Sequence, residues 1–530
     1  MYFHIFTFSD LSRYHSTSKL CFFIQPKKQQ RLLLKTALYA ISKNQGKLGW
    51  LSGEVKGLLI IFYVVIQILI GLYLSRKIKN EADYFVGGRR VSFFLVSFSL
   101  FATWFGAETC LGSSGAVYEN GLSGSRADPF GFSLCLFLMG FLLAARLRRK
   151  NYMTLADFIK DRYGQLAERL VVWVMIPSSI IWGAAQLRAF GQILSVSTDL
   201  PLDLMICFSA LLVITYTVLG GLLGDIYTDL VQGFIVVFSL VALAVVVLTR
   251  VPDLQSIIQQ MPPDRWKILG VGESLWERID RWAVPVLGSL VVQEAISRFL
   301  AARNPKEAVR ACHTAGGIYF FTGLIPLFLG FIGPWLLPGL ADREQFLVVL
   351  SHQYLPGILS VIFLGALISA ILSTVDSILL ACAALFSHNF LLPILSIKKE
   401  KTKVLVGRGA VIATGLIALI IALSGNRIYD LVLLAAAFGT AGVLVITLFG
   451  LYSRLNSQKA ALLTLVGGLV LTPVFQLVLK LKAPFLLSVL SCVAIFALGA
   501  LFSRKQASQP EFFALAEFLP ETQKTRSDTR

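Results

Sequence analysis

The chain has 530 residues, 56% of them hydrophobic and 15% charged, and carries a formal net charge of +18 at pH 7. Its apolar runs of roughly 18–25 nearly uncharged residues exclude an ordinary soluble domain and predict a polytopic, all-α integral membrane protein. The basic surplus does not call for a nucleic-acid partner, because Lys and Arg collect in short clusters beside the apolar runs, as topology charge does.

Residues 1–54 form a basic N-terminal arm with few acids and no ordinary signal peptide, expected to be a targeting segment, a disordered arm or an over-extended start of the reading frame, outside the core. A transmembrane domain is expected over 55–503 and a polar cytoplasmic tail over 504–530. The spans fall near Val55–Ser75, Val91–Tyr118, Asp128–Leu147, Ala167–Val196, Leu202–Leu219, Asp225–Leu248, Arg281–Ala301, Thr314–Leu337, Tyr354–Phe386, Val404–Leu423, Tyr429–Tyr452, Ala460–Leu479 and Pro484–Phe502. That is about thirteen transmembrane helices, and an odd number puts the two ends on opposite sides.

Basic residues set the orientation. The loops after the first, third, seventh, ninth and eleventh spans hold Arg76/Lys77/Lys79/Arg89/Arg90, Arg146–Lys150, Arg298/Arg303/Lys306/Arg310, Lys398–Lys403 and Arg454/Lys459, while the opposite loops hold few apart from the longer Arg250–Arg281 connection. The positive-inside rule makes those loops cytoplasmic, with the N-terminus outside and the C-terminus inside, in a cytoplasmic (plasma) membrane. The seven cysteines include no C-x-x-C pair and the five histidines have no ligand spacing, so neither a disulfide framework nor a transition-metal site is expected.

Two spans are interrupted. Val91–Tyr118 contains Thr103-Trp104-Phe105-Gly106-Ala107-Glu108, and Arg281–Ala301 contains Pro285, Gly288 and then Gln293-Glu294. Broken helices five spans apart, at matching places in two halves, point to an inverted-repeat transporter with its site at the bilayer midplane. Glycine in either span is equally compatible with close helix packing. The stretch Gly365–Leu380 reads as a buried apolar helix, yet carries Ser369, Ser373, Thr374, Asp376 and Ser377. Spacings of three and four put most of them on one stripe. A carboxylate at that depth costs roughly 2.5–3.5 kcal/mol and needs a partner, and clustered oxygen donors suit a small cation. Helix-packing hydrogen bonds are the competing use of those hydroxyls. Arg188 and Glu108 are expected to orient helices as a buried pair.

The segments Asp83–Arg89, Ser99–Gly112, Thr215–Gln232, Gln293–Asn304 and Ser369–Ser377 resemble the sodium:solute symporter family, in which proline, sugar, pantothenate and choline transporters are relatives. The resemblance implies a leucine-transporter-type fold, with two inverted five-helix repeats and flanking helices. It implies a sodium site made by the Ala102 and Phe105 carbonyls, the Ala370 carbonyl, and the Ser373 and Thr374 hydroxyls. A second cation site would use Asp229, Ser373, Asp376 and Ser377. Proline transporters carry an aspartate where this chain has Trp104, and the sugar-binding glutamine aligns with Thr109. The nearest pattern is the choline branch, although that branch has a tryptophan where this chain has Val292.

The resemblance implies a sodium-coupled symporter, not an enzyme, that imports a small polar solute by alternating access. Na⁺ would be the coupling ion and no organic cofactor is expected. The substrate would be a quaternary amine, amino acid, sugar or carboxylate, held between Trp104, Thr109, Phe132, Trp182 and Gln293. Aromatic faces there suit a cation, but bulky packing is an equal use of each tryptophan. A proton-coupled carrier of the same fold, with Asp229 and Asp376 as relays, and a non-transporting solute sensor are the alternatives.

Overall fold

The computed structural model describes residues 66, 69–198, 200–251, 253–270, 272–425 and 439–502. The N-terminal arm, most of the first expected span, the start of the eleventh and the tail from 504 lie outside the described residues. Among the described residues there is no strand, and extended pairing is confined to one bridge between Val91 and Ala302. Apolar composition leaves the backbone no water to bond to, so helices are the only open-ended solution.

The short helix α1 (Glu81–Val86) is capped by Asn80. Helix α2 (Phe93–Trp104) stops at Phe105, whose φ of −82° and ψ of 61° leave the helical region. The chain resumes as a wide turn over Glu108–Ser113 and continues as α3 (Ser114–Asn120). Gly121 (φ 65°) and Asp128 (ψ 126°) turn it into α4 (Phe132–Met139), which runs on to α5 (Ala145–Arg149). Helices α6 (Leu155–Tyr163) and α7 (Gln165–Thr198) follow.

Helix α8 (Leu202–Arg250) has 49 residues. At about 1.5 Å per residue, a straight helix of that length would run roughly 70 Å, more than twice the hydrocarbon thickness. Gly221 resolves this with φ 52° and ψ −163°, splitting the helix where the two expected spans Leu202–Leu219 and Asp225–Leu248 divide. Only glycine serves there, because a Cβ would stand 2.6 Å from the Tyr84 ring. Helices α9 (Leu275–Leu287) and α10 (Gln293–Ala301) are the second broken span, bent by 51°. Helix α11 (Pro305–Leu336) precedes α12 (Gly357–Phe386), the polar-striped helix, which packs chiefly on α8 and α7. Helices α13 (Glu400–Ser424), α14 (Thr440–Tyr452), α15 (Gln458–Pro473) and α16 (Pro484–Phe502) complete the described bundle.

Loop contacts sort into two faces. On one, Arg89 bonds Asn151, Arg148 bonds the Ala302 carbonyl, and His388 reaches both Glu81 (2.8 Å) and Asp157 (3.2 Å). Asn389 ties Asp157 and Glu168 into the same network. Burial pushes the Asp157 carboxyl up, but hydrogen bonds from His388 and from the Met153 and Thr154 amides outweigh it and hold the group at about 2. On the other face, Arg126 forks onto Glu273, Arg343 pairs with Glu119, and Arg265 donates to the Tyr118, Val117 and Phe331 carbonyls. The Arg146–Lys150 cluster meets Arg89 and Arg303 on the first face through Arg148, and one loop assignment is corrected: Arg298 is not a loop residue. It lies inside α10 and is fully buried.

Candidate functional site

The break in α2 is the start of the site. The Phe105 N–H donates to the Phe101 carbonyl (3.0 Å), and the pattern resumes with the Cys110 N–H on Gly106 (3.2 Å). Between them, carbonyls from Ala102 to Phe105 are released from regular helical pairing. Thr374 of α12 donates to the Thr103 carbonyl at 2.9 Å and sits 3.1 Å from that of Ala370. Tyr319 and Thr109 take the Trp104 carbonyl. The residues Ala102, Phe105 and Ala370 line one narrow gap together with Gln232. Gly106 permits this approach, since a Cβ there would lie 2.5 Å from the Thr374 hydroxyl. Thus α2 and α12 meet where the Thr374 hydroxyl reaches the Thr103 and Ala370 carbonyls.

Beside that gap, Ser373 donates to Asp229, and Ser99 donates to the other oxygen of the same carboxylate at 2.5 Å. Asp376 accepts from the Tyr216 hydroxyl (2.8 Å) and from the Ser377 N–H (2.7 Å). All four residues assigned to the second cation site therefore share one buried cluster. Sequence reasoning missed its centre. Arg298 Nη2 lies 2.6 Å from Asp225 and 3.6 Å from Asp229, and it donates to Ser377. Three buried aspartates thus face one guanidinium. With every group ionised, two negative charges remain uncompensated, a condition a low-dielectric interior does not tolerate without cations or protons.

The aromatic group is only partly as expected. The Trp104 and Phe132 rings meet edge to face at 5.7 Å, and Tyr319, unforeseen, lies 6.4 Å from Phe132. Thr109 hydrogen-bonds Tyr319 (2.7 Å) and Asp128 (3.1 Å), and Tyr319 also donates to Asp128. Trp182 hydrogen-bonds Glu108, while Arg188 donates to the Ala422 carbonyl at 2.9 Å. Gln293 is not brought to this group. Its side-chain oxygen accepts from the Leu155 N–H (2.9 Å), and its nitrogen donates to Ser297 and Met153.

A cavity of about 1080 Å³ leads from the second face to this region, with Ala107, Glu108, Asp128 and Gln186 at its inner end and Arg126, Glu273 and Arg343 toward the loops. Glu273 is held below the usual carboxylate range chiefly by its hydrogen bond from Arg126, with Arg281 adding to the effect. A depressed folded value gives stability that is present above the ordinary glutamate pKa of about 4.3 and lost as pH falls through the folded one. Glu273→Gln should therefore lower the melting temperature by a constant amount from pH 5 to 8, with the difference vanishing in stronger acid. Paired melts across that range check it.

The family model described as Sodium:solute symporter family matches residues 84–468. The high-affinity choline transporter 1 of Caenorhabditis elegans is 30% identical over 411 residues, covering 71% of this chain and 70% of the relative. The sodium/proline symporter of Escherichia coli strain K12 is 26% identical, covering 77% of this chain and 85% of the relative. A solved Na⁺-coupled sialic acid symporter in a substrate-bound outward-open state superposes with a TM-score of 0.76 at 17% identity, over 86% of this chain and 99% of that one. The nucleobase-cation-symport-1 family transporter Mhp1 in a closed conformation gives 0.56 at 13% identity, over 83% of this chain and 98% of that one. These likenesses show the fold, which is the leucine-transporter type.

Proposed function

The chain belongs to the sodium:solute symporter family, and from that premise we propose that it imports a small polar organic solute together with sodium by alternating access. The observation that carries this reading is the shared gap of Ala102, Phe105 and Ala370, together with a Thr374 hydroxyl that touches both helices. Sodium is a co-substrate here. The three carbonyls with the Ser373 and Thr374 hydroxyls would hold it, five neutral oxygens suited to a monovalent ion. Both hydroxyls give their protons away, Thr374 to carbonyls and Ser373 to Asp229. That leaves oxygen lone pairs to face the ion.

The vestibule reaches the break from one face, while the His388, Asp157 and Asn389 network closes the other. The positive-inside rule makes the closed face cytoplasmic, so this arrangement accepts solute from outside. Inward movement of one sodium charge down 100 mV supplies about 2.3 kcal/mol beyond its concentration gradient. Substrate would lie against Trp104, Phe132 and Trp182, with Thr109 as a polar contact; Gln293 holds α10 to the start of α6 instead.

A second cation would occupy the cluster of Asp229, Ser373, Asp376 and Ser377, which offsets the negative charge that Arg298 leaves. The same excess supports the proton-coupled alternative, in which Asp229 and Asp376 carry protons in place of sodium. Proteoliposomes separate the two. A sodium gradient should drive accumulation that lithium or choline salts do not, and a proton gradient alone should not. Asp376→Ala should lower the sodium cooperativity of uptake toward one and raise the half-saturating sodium concentration. Unchanged cooperativity and affinity in that variant would rule out the second sodium ion.

A further inference from the structure

We propose that the solute is an organic cation bearing N–H donors, a protonated primary or secondary amine or a guanidinium, and that Glu108, Asp128 and Gln186 read those donors. This rests on the transporter reading of the same site and names its substrate class. The inner end of the vestibule is a set of acceptors. Glu108 and Asp128 both line it, and their hydrogen-bond partners are neutral: Trp182 for Glu108, and Thr109 and Tyr319 for Asp128. Gln186 lines the same space from α7, 2% exposed, and its buried side-chain oxygen has no hydrogen-bond partner. A buried acceptor left unmet costs stability, so a ligand donor is the natural complement.

The charge of the vestibule agrees. Seven carboxylates line it against four arginines. Those arginines are committed nearer the loops: Arg126 and Arg281 to Glu273, Arg343 to Glu119, and Arg265 to carbonyls. The inner carboxylates are left for a cation to neutralise. An anionic or zwitterionic solute is disfavoured for a further reason. In a broken-helix site a substrate carboxylate seeks the positive end of the second half-helix. Here Glu108 already stands in the first turn after the break. A quaternary ammonium satisfies the charge but has no hydrogen on nitrogen to give, so it leaves the Gln186 oxygen without a donor and adds none to the two carboxylates.

The test is a binding series on the purified full chain, with and without sodium. Ethanolamine, N-methylethanolamine, N,N-dimethylethanolamine and choline share a skeleton and lose one N–H at each step. Putrescine, agmatine, proline, glucose and lactate extend the panel. Affinity read from thermal shifts should fall along the series, by about tenfold or more from ethanolamine to choline. In Glu108→Gln and, separately, Asp128→Asn, the ratio of ethanolamine to choline affinity should move toward one, with the melting temperature of the unliganded protein as the folding control. Choline binding as well as ethanolamine, a neutral or anionic compound binding best, or no N–H cation binding at all overturns the proposal, and the wild-type series decides this even if neither variant folds. Sodium dependence is scored separately. N–H selectivity that sodium does not affect would sink the symport reading alone, and sodium-dependent binding of choline in preference would sink this inference alone.

Discussion

Replacing both Ser373 and Thr374 by Ala should abolish sodium-driven uptake while the protein remains folded. The two hydroxyls do different work. Thr374 bridges the Thr103 and Ala370 carbonyls, and its oxygen is where the released backbone of α2 meets α12. Ser373 donates to Asp229, so its loss removes a proposed sodium ligand and also strips a partner from a fully buried carboxylate. Each single change should raise the half-saturating sodium concentration by roughly tenfold or more, the scale of one hydrogen bond to a charged group. Ser373→Ala should have the further effect of altering the proposed second cation site, whereas Thr374→Ala should leave it alone. Neither substitution adds bulk to the core, and the lost hydroxyls are small beside the apolar contacts of α12. The check is sodium titration of uptake in proteoliposomes, alongside melting in detergent. Wild-type uptake by the double variant would remove the basis of the sodium assignment.

How much of this was legible follows from what each residue's neighbours in sequence disclose. The break after Trp104 is written locally, as glycine and an acid in the middle of an apolar run, and the structure puts it where that pattern does. The polar stripe of α12 is likewise a matter of spacing along one helix. Arg298 is different. It lies five residues from Arg303 and close to Lys306, so by composition it belongs with the loop charges. Only the fold brings up Asp225, 73 residues earlier, to face it. Gln293 fails for a related reason: as the first residue of α10, it turns to the Leu155 amide rather than to the aromatic group. Gln232 sits in a recognisable segment three residues after Asp229, but its unpartnered amide beside the Ala102 gap is visible only in three dimensions. Local pattern discloses where helices break and which carry polar stripes. The pairing of buried charges from distant segments is not encoded in any one of them.

That pairing makes Arg298 the residue whose loss should cost the fold most. Arg298→Gln leaves Asp225 and Asp229 without their guanidinium, with Asp376 buried in the same cluster. Removing one partner of a buried ion pair typically costs about 3–5 kcal/mol, because the remaining charge can neither be solvated nor moved. Lysine does not repair this. One ammonium cannot reproduce the planar fork that serves Asp225 and Ser377 from one nitrogen and the Glu294 carbonyl from the other. The Arg298→Gln variant should melt well below wild type at neutral pH, and sodium should stabilise it more than it stabilises wild type, since a mobile cation then supplies part of the missing charge. Adding Asp225→Asn to Arg298→Gln removes the most closely paired carboxylate and should recover part of the lost stability, giving a coupling the single variants cannot. Detergent melts of the four proteins, at low and high sodium, measure all of this at once. Equal melting temperatures across the four would mean that the carboxylates are already neutral in the folded protein. The cluster would then hold protons rather than sodium, and the second cation site would give way to the proton-coupled reading.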